Sequence, residues 1–209
     1  MNNKEYLEQI SSESRKKTSS NNGFFGFNIS PRLGKIIIGA FIAAVLIMII
    51  GGIASIAGGS SSESDYLGRI YLRTNNMMSA ISAYNNKVKS SELRSMGNSL
   101  NAVLTETSYN VSTILKEEFE ADPAKAKNSI QEEEEADGTA LNDSLENARI
   151  SGTLDRIYAH NFTYAIGMLS ALESEALHKA KNQRTTDALT TSKNNLDQLH
   201  DQFENFTLR

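Results

Sequence analysis

LGRIYLRTNNMMSAISAYNNKV, residues 67–88, sets Leu67, Ile70, Thr74, Met77, Ile81, Tyr84 and Val88 at alternating steps of three and four. That spacing puts all seven on one stripe of an α-helix. A helix apolar along a single stripe must bury it against other elements, and the chain downstream supplies them. Ser90-Ser91 interrupts the rhythm. Leu93, Met96, Leu100, Val103, Leu104, Val111, Ile114 and Leu115 then predict a second inward-facing helix. So short a connection between two long helices makes them antiparallel. Thr153 is placed to cap a third long helix carrying Leu154, Ile157, Tyr158, Phe162, Ala165, Leu169, Leu172 and Ala176. A polar turn around His178–Arg184 leads to a fourth, with Leu189, Ser192, Leu196, Leu199, Phe203 and Phe206 in register. The expected fold is all-α, an antiparallel up-down four-helix bundle of two hairpins over residues 65–209.

Between the hairpins the pattern loosens. Asp122-Pro123 predicts a helix start, an N-cap followed by proline at the first helical position. Leu141, Leu145 and Ile150 predict a shorter helical element closed by Ser151-Gly152. Glu132–Glu135 and Asp137 form an acidic run without the alternation and glycine of a calcium loop, and read as a solvated helix face.

Upstream, Ile36–Ala57 (IIIGAFIAAVLIMIIGGIASIA) carries no charge. At 1.5 Å per residue it measures roughly 33 Å, enough for a hydrocarbon core of about 30 Å. A cleaved signal peptide has a shorter apolar core near the N-terminus; Ser55-Ile56-Ala57 resembles a cleavage site, but the length and position favour an uncleaved anchor. Lys4, Arg15, Lys16, Lys17, Arg32 and Lys35 precede the span, against Arg69 and Arg73 beyond it, so the tail is expected outside the cytoplasmic membrane. The divisions are a disordered cytoplasmic head (1–34), a transmembrane helix (35–57), a flexible spacer (58–64) ending at an N-cap on Ser64 or Asp65, and an extracytoplasmic bundle (65–209). Ala40, Ala43 and Ala44 offer a small-residue face through which two spans can pair as a homodimer.

Composition narrows the chemistry. The chain has no cysteine, which excludes thiol catalysis, thiolate metal sites and disulfides. Its two prolines and absence of tryptophan suit a helical chain, and a net charge of -4 gives no reason to expect nucleic acid.

Leu154-Asp155-Arg156-Ile157-Tyr158 is similar to the F-D-x-x-Y that opens the third long helix of a bacterial ferritin-like family of unknown function, membrane proteins built of two matching helical hairpins. Leu189–His200 resembles that family's closing helix, with leucines seven apart and a histidine after the last turn. Lys87-Val88-Lys89 and Lys179-Ala180-Lys181 precede the second and fourth helices alike, as a duplicated hairpin would have them. The resemblance covers roughly Asp65–Phe206. Many members carry acid–His pairs in the second and third long helices, where this chain has Val103-Leu104 and Ala165-Ile166.

A di-iron site of the ferritin-like kind needs a Glu from each of two helices and Glu-x-x-His from each of two more. The chain offers Glu175-Ala176-Leu177-His178 and, as the nearest second, Asp197-Gln198-Leu199-His200, at opposite poles of antiparallel helices. His160 reads as a surface or boundary residue. No G-x-S-x-G turn and no glycine-rich phosphate loop occurs. Asn110, Asn161 and Asn205 begin Asn-x-Ser/Thr triplets at a chance frequency. The expectation is therefore no catalytic residue, metal or cofactor. It is a membrane-tethered interaction or structural module whose partners are the bilayer and a protein or envelope polymer. The alternative is a ligand-sensing subunit working with a partner membrane protein.

Overall fold

A computed structural model describes residues 62–206. The expected head, Ile36–Ala57 and most of the spacer lie outside the described residues, among which no helix is long and apolar enough to cross a membrane.

The described residues form five α-helices and no strand: α1 (Glu63–Tyr84), α2 (Ser91–Glu118), α3 (Asn128–Ile150), α4 (Leu154–Lys179) and α5 (Gln183–Glu204). The first cap falls earlier than expected. Ser62 accepts from the Asp65 amide while Asp65 takes the Ser62 amide, a reciprocal box that closes two free donors. Ser90 and Asn182 cap α2 and α5 through the amides of Leu93 and Thr185. Thr153, expected to cap α4, makes no side-chain cap. α2 ends where Glu120 turns to φ +48°, letting the Ala121 amide reach back to the Leu115 carbonyl.

The predicted stripes form the core. All seven positions of residues 67–88 are buried, Leu67, Ile70 and Thr74 completely. Leu93, Leu100, Leu104, Phe162, Leu169, Leu189 and Leu196 pack with them into one cluster. Tyr158, Phe162 and Phe203 close one end, with ring centroids 4.5 to 6.5 Å apart.

The middle of the chain departs from expectation. Asp122-Pro123 starts no helix; residues 120–127 form a loop with a turn at Pro123-Ala124, Asp122 accepting from the Ala124 amide. The element that follows is a full helix of 23 residues, not a short one. Asp65 meets Lys127, Arg73 meets Glu134, and Tyr84 meets Asn142, so α3 runs parallel to α1. It lies against α1 and α4 and carries the chain back along the bundle before α4 begins. α4 therefore runs parallel to α2 rather than against it. In the four-helix core α1 neighbours α2 and α4, α5 neighbours the same two, and every neighbouring pair is antiparallel. The crossover lets α2 and α4 sit diagonally while both hairpins keep short turns.

α3 is held by charge as much as by apolar contact. Its buried face is Ile130, Glu134, Gly138, Leu145 and Ala148. The Glu134 side chain is 1 % exposed, which corrects the reading of the acidic run as wholly solvated. Arg73 donates to both its oxygens at 2.9 and 2.7 Å and to Asp137 at 3.0 Å, and Arg69 donates to Glu133 at 2.7 Å. Burial raises the Glu134 carboxyl above its ordinary range, and Arg73 draws it back. Asn76 fits against Gly138, where a Cβ would lie 2.8 Å from its side chain.

Candidate functional site

The side chains that resemble a family motif have structural work. Asp155 accepts from the amides of Lys89 and Ser90 at 2.9 and 2.8 Å, fastening the start of α4 to the turn between α1 and α2. Tyr158 is buried and donates to Asn85 in the same turn at 3.2 Å. Asn85 in turn donates to Asn98 and to the Arg94 carbonyl.

Of the metal-ligand candidates, Glu175, His178 and His160 are exposed. His200 packs against Gly167 on α4, eight residues and so about 12 Å along the helix from Glu175. The two motifs are not brought together. His200 lies instead beside Asp201 and Glu204, its Nδ1 3.9 Å from an oxygen of each. Val103 and Ala165 are partly buried and Leu104 and Ile166 are core, so the places where the resembled family has acid–His pairs are filled with apolar packing. Asn110 lies on α2 at the groove described below, Asn161 donates to Ser144, and Asn205 ends α5.

A buried carboxyl lies two residues before the Glu175–His178 motif. Glu173 on α4 is 0 % exposed, at a stripe position four after Leu169 and three before Ala176. Its Oε1 stands 2.7 Å from the Ser192 hydroxyl of α5, which stands 2.6 Å from the Thr107 hydroxyl of α2. Thr107 donates to the Val103 carbonyl at 2.9 Å. Ser192 donates to Glu173, and the Thr107 hydroxyl lies within hydrogen-bond distance of both Ser192 and the Val103 carbonyl. Burial pushes the Glu173 carboxyl up to about 8; Ser192 and Lys193 draw it down and Asp197 adds to the rise. Desolvation outweighs the Ser192 hydrogen bond and favours the neutral acid in the core. Its Oε2 has no hydrogen-bond partner.

Beside it, Ser170 donates to Asp197 at 2.5 Å and Lys193 reaches the other Asp197 oxygen. Partial burial opposes the Asp197 charge, but Lys193 and Ser170 prevail and hold its carboxyl below the ordinary range.

Above this chain of hydroxyls, α2 and α5 leave a groove of about 510 Å³. Ile114 and Ala188 give it an apolar floor, Glu106 and Asp187 carboxylates, and Arg184 a cation already paired with Glu117. Tyr109, also on its wall, is 70 % exposed. A separate notch of about 10 Å³, with Thr107 and Ser192 in its lining, shares Glu106, Asn110, Ala188 and Thr191 with the groove. The periodicity could have disclosed this site. Thr107 fills the gap between Leu104 and Val111, and Glu173 the gap between Leu169 and Ala176, so a polar residue on a core stripe was the available signal.

Comparisons with family models, curated proteins and solved structures gave no match to this chain.

Proposed function

We propose that the chain is a membrane-anchored extracytoplasmic helical bundle that works as an interaction module, with the α2–α5 groove as its contact surface. The groove carries this reading. It is a concave face with an apolar floor, a charged rim and an exposed aromatic at Tyr109, the composition of a binding surface. α3 covers the α1–α4 side, so the two long sides of the bundle are not equivalent. The anchoring rests on the charge-free stretch Ile36–Ala57 and its basic flank. A single long crossover also fits the ferritin-like family resemblance, since that class of bundle has one. No metal or catalytic role belongs to the proposal, which rests on packing and surface.

The groove's volume of about 510 Å³ favours a second reading, a ligand-sensing subunit, because it suits a small molecule. A photo-crosslinking residue at Thr191, in intact membranes, tests the surface; the control is the same residue at Glu135 on the outer face of α3. Discrete adducts from Thr191 and none from Glu135 support the groove. Equal labelling at both positions, or none at Thr191, overturns it.

A further inference from the structure

The seating of α3 shows how this bundle accepts a further helix. α3 lies against α1 and α4, and charge fixes its register there: Arg69 and Arg73, one turn apart on α1, meet Glu133, Glu134 and Asp137. An acidic helix sits on a cationic face. The α2–α5 groove has the opposite sign. Glu106 on α2 and Asp187 on α5 are exposed carboxylates, no lysine lines the groove, and its arginine, Arg184, is paired with Glu117. Among the described residues neither Glu106 nor Asp187 has an ion pair, and Asp187 accepts from the neutral Gln183 amide at 2.7 Å.

The two carboxylates stand on opposite walls at different heights. Thr107 faces Ser192 and Glu117 faces Arg184, so antiparallel α2 and α5 bring Asp187 level with residues 112–114. Glu106 is then roughly 9–12 Å away along the groove. Tyr109, exposed, belongs to the wall between these levels, and Ile114 and Ala188 give the floor. Two side chains seven residues apart on one helix are separated by about 10.5 Å and share a face. Cations at those positions match the two carboxylates, and an apolar side chain three or four residues after the first falls at the level of Tyr109. A trough between two helices accepts a third by packing ridges into grooves. An extended strand on the same floor would leave backbone donors without partners. No helix among the described residues carries Lys or Arg seven residues apart, so the bundle of a second copy does not supply this complement.

We propose that the α2–α5 groove docks a basic amphipathic helix of a partner protein, whose cations seven residues apart meet Glu106 and Asp187 across an apolar contact on Tyr109 and Ala188. This names the partner chemistry of the contact surface and rests on that reading.

The test uses the full chain in detergent micelles and a fluorescein-labelled, alanine-based helical peptide with Lys at i and i+7 and Leu at i+3 and i+4. Fluorescence anisotropy at fixed ionic strength follows binding. One control peptide moves the second lysine to i+5, which turns it to the far side of the helix; another has Glu in place of both lysines. Saturable binding of the i, i+7 peptide is expected, with much weaker binding of both controls. Removing both exposed carboxylates, Glu106→Gln with Asp187→Asn, should weaken it about tenfold, as two partly exposed ion pairs would. Removing the same charge from the outer face of α3, Glu132→Gln with Glu135→Gln, should leave it unchanged. Charge reversal, Glu106→Lys with Asp187→Lys, should transfer binding to the Glu peptide. Circular dichroism checks that each variant keeps its helix content. Absence of saturable binding, equal binding of the i+5 peptide, or equal weakening by the α3 pair overturns the inference. So does self-association in sedimentation that Glu106→Gln abolishes, since a second copy would then cover the groove. If Thr191 still cross-links selectively when the peptide fails, the contact surface survives and only its preference for a basic helix falls.

Discussion

Glu173 keeps a carboxyl in the core by keeping it uncharged, and this ties stability to pH in a definite direction. Its folded value of about 8 lies above the ordinary 4.5, so the unfolded chain gives up the proton first. The stabilising difference is whole below pH 4.5 and is lost as pH rises toward 8, by up to a few kcal/mol. Denaturant midpoints at pH 5, 7 and 9 are expected to fall in that order for the native chain. In Glu173→Gln, which keeps an acceptor for the Ser192 hydroxyl, they should be nearly level and above the native value at pH 9; a parallel decline in the variant would refute the assignment. Gly97 makes a second test. A Cβ there would stand 2.3 Å from Asn85 Oδ1 and 2.6 Å from the Tyr158 hydroxyl. Gly97→Ala gains about 1 kcal/mol of helix propensity but meets an overpacking cost of about 1–3 kcal/mol. A net loss of about 1 kcal/mol by urea unfolding is expected, because Tyr158 is fully buried and cannot retreat into solvent. Neither residue was legible as special in the sequence. Glu175, two residues from Glu173, drew notice for its histidine spacing, while Glu173 carried only a stripe position as its mark.

At the level of elements, the helices richest in apolar stripe positions were legible and the one richest in charge was not. α3 places Glu134 and Gly138 where α1 places Ile70 and Met77, so its period is hidden by an ion pair whose other half, Arg73, lies 61 residues earlier. Pairing across such a separation has no local signal. The same feature sets its energetics. α3 buries Ile130, Leu145 and Ala148 with part of Leu141, at about 1.5–3 kcal/mol per large apolar side chain, and depends on the Arg73–Glu134 contact for the rest. Arg73→Ala strands Glu134 and is expected to cost about 3 kcal/mol. Hydrogen exchange should show the loss concentrated in α3, with α2 and α5 following only the global decrease. Uniform acceleration in all five helices would mean that α3 is not a separable layer.

At the scale of the whole molecule, the all-helical class and four of the five helices follow from the sequence pattern, whereas the relative direction of the two hairpins turned on the crossover. The anchor proposed at Ile36–Ala57 has its own test: protease added to intact spheroplasts should digest the chain beyond Gly59 and spare the head, and protection of the bundle would invert the topology. The number of helices among the described residues also has a consequence of parity. An even count would return the chain to the pole where it began, but with five, α5 runs parallel to α1 and Glu204 stands at the pole opposite Glu63. Each of those helices has 22 residues, so the two poles are separated by roughly 33 Å. A pair of fluorophores at Glu63 and Glu204 is therefore expected to report a full helix length, whereas a pair at Glu63 and Glu118 is not.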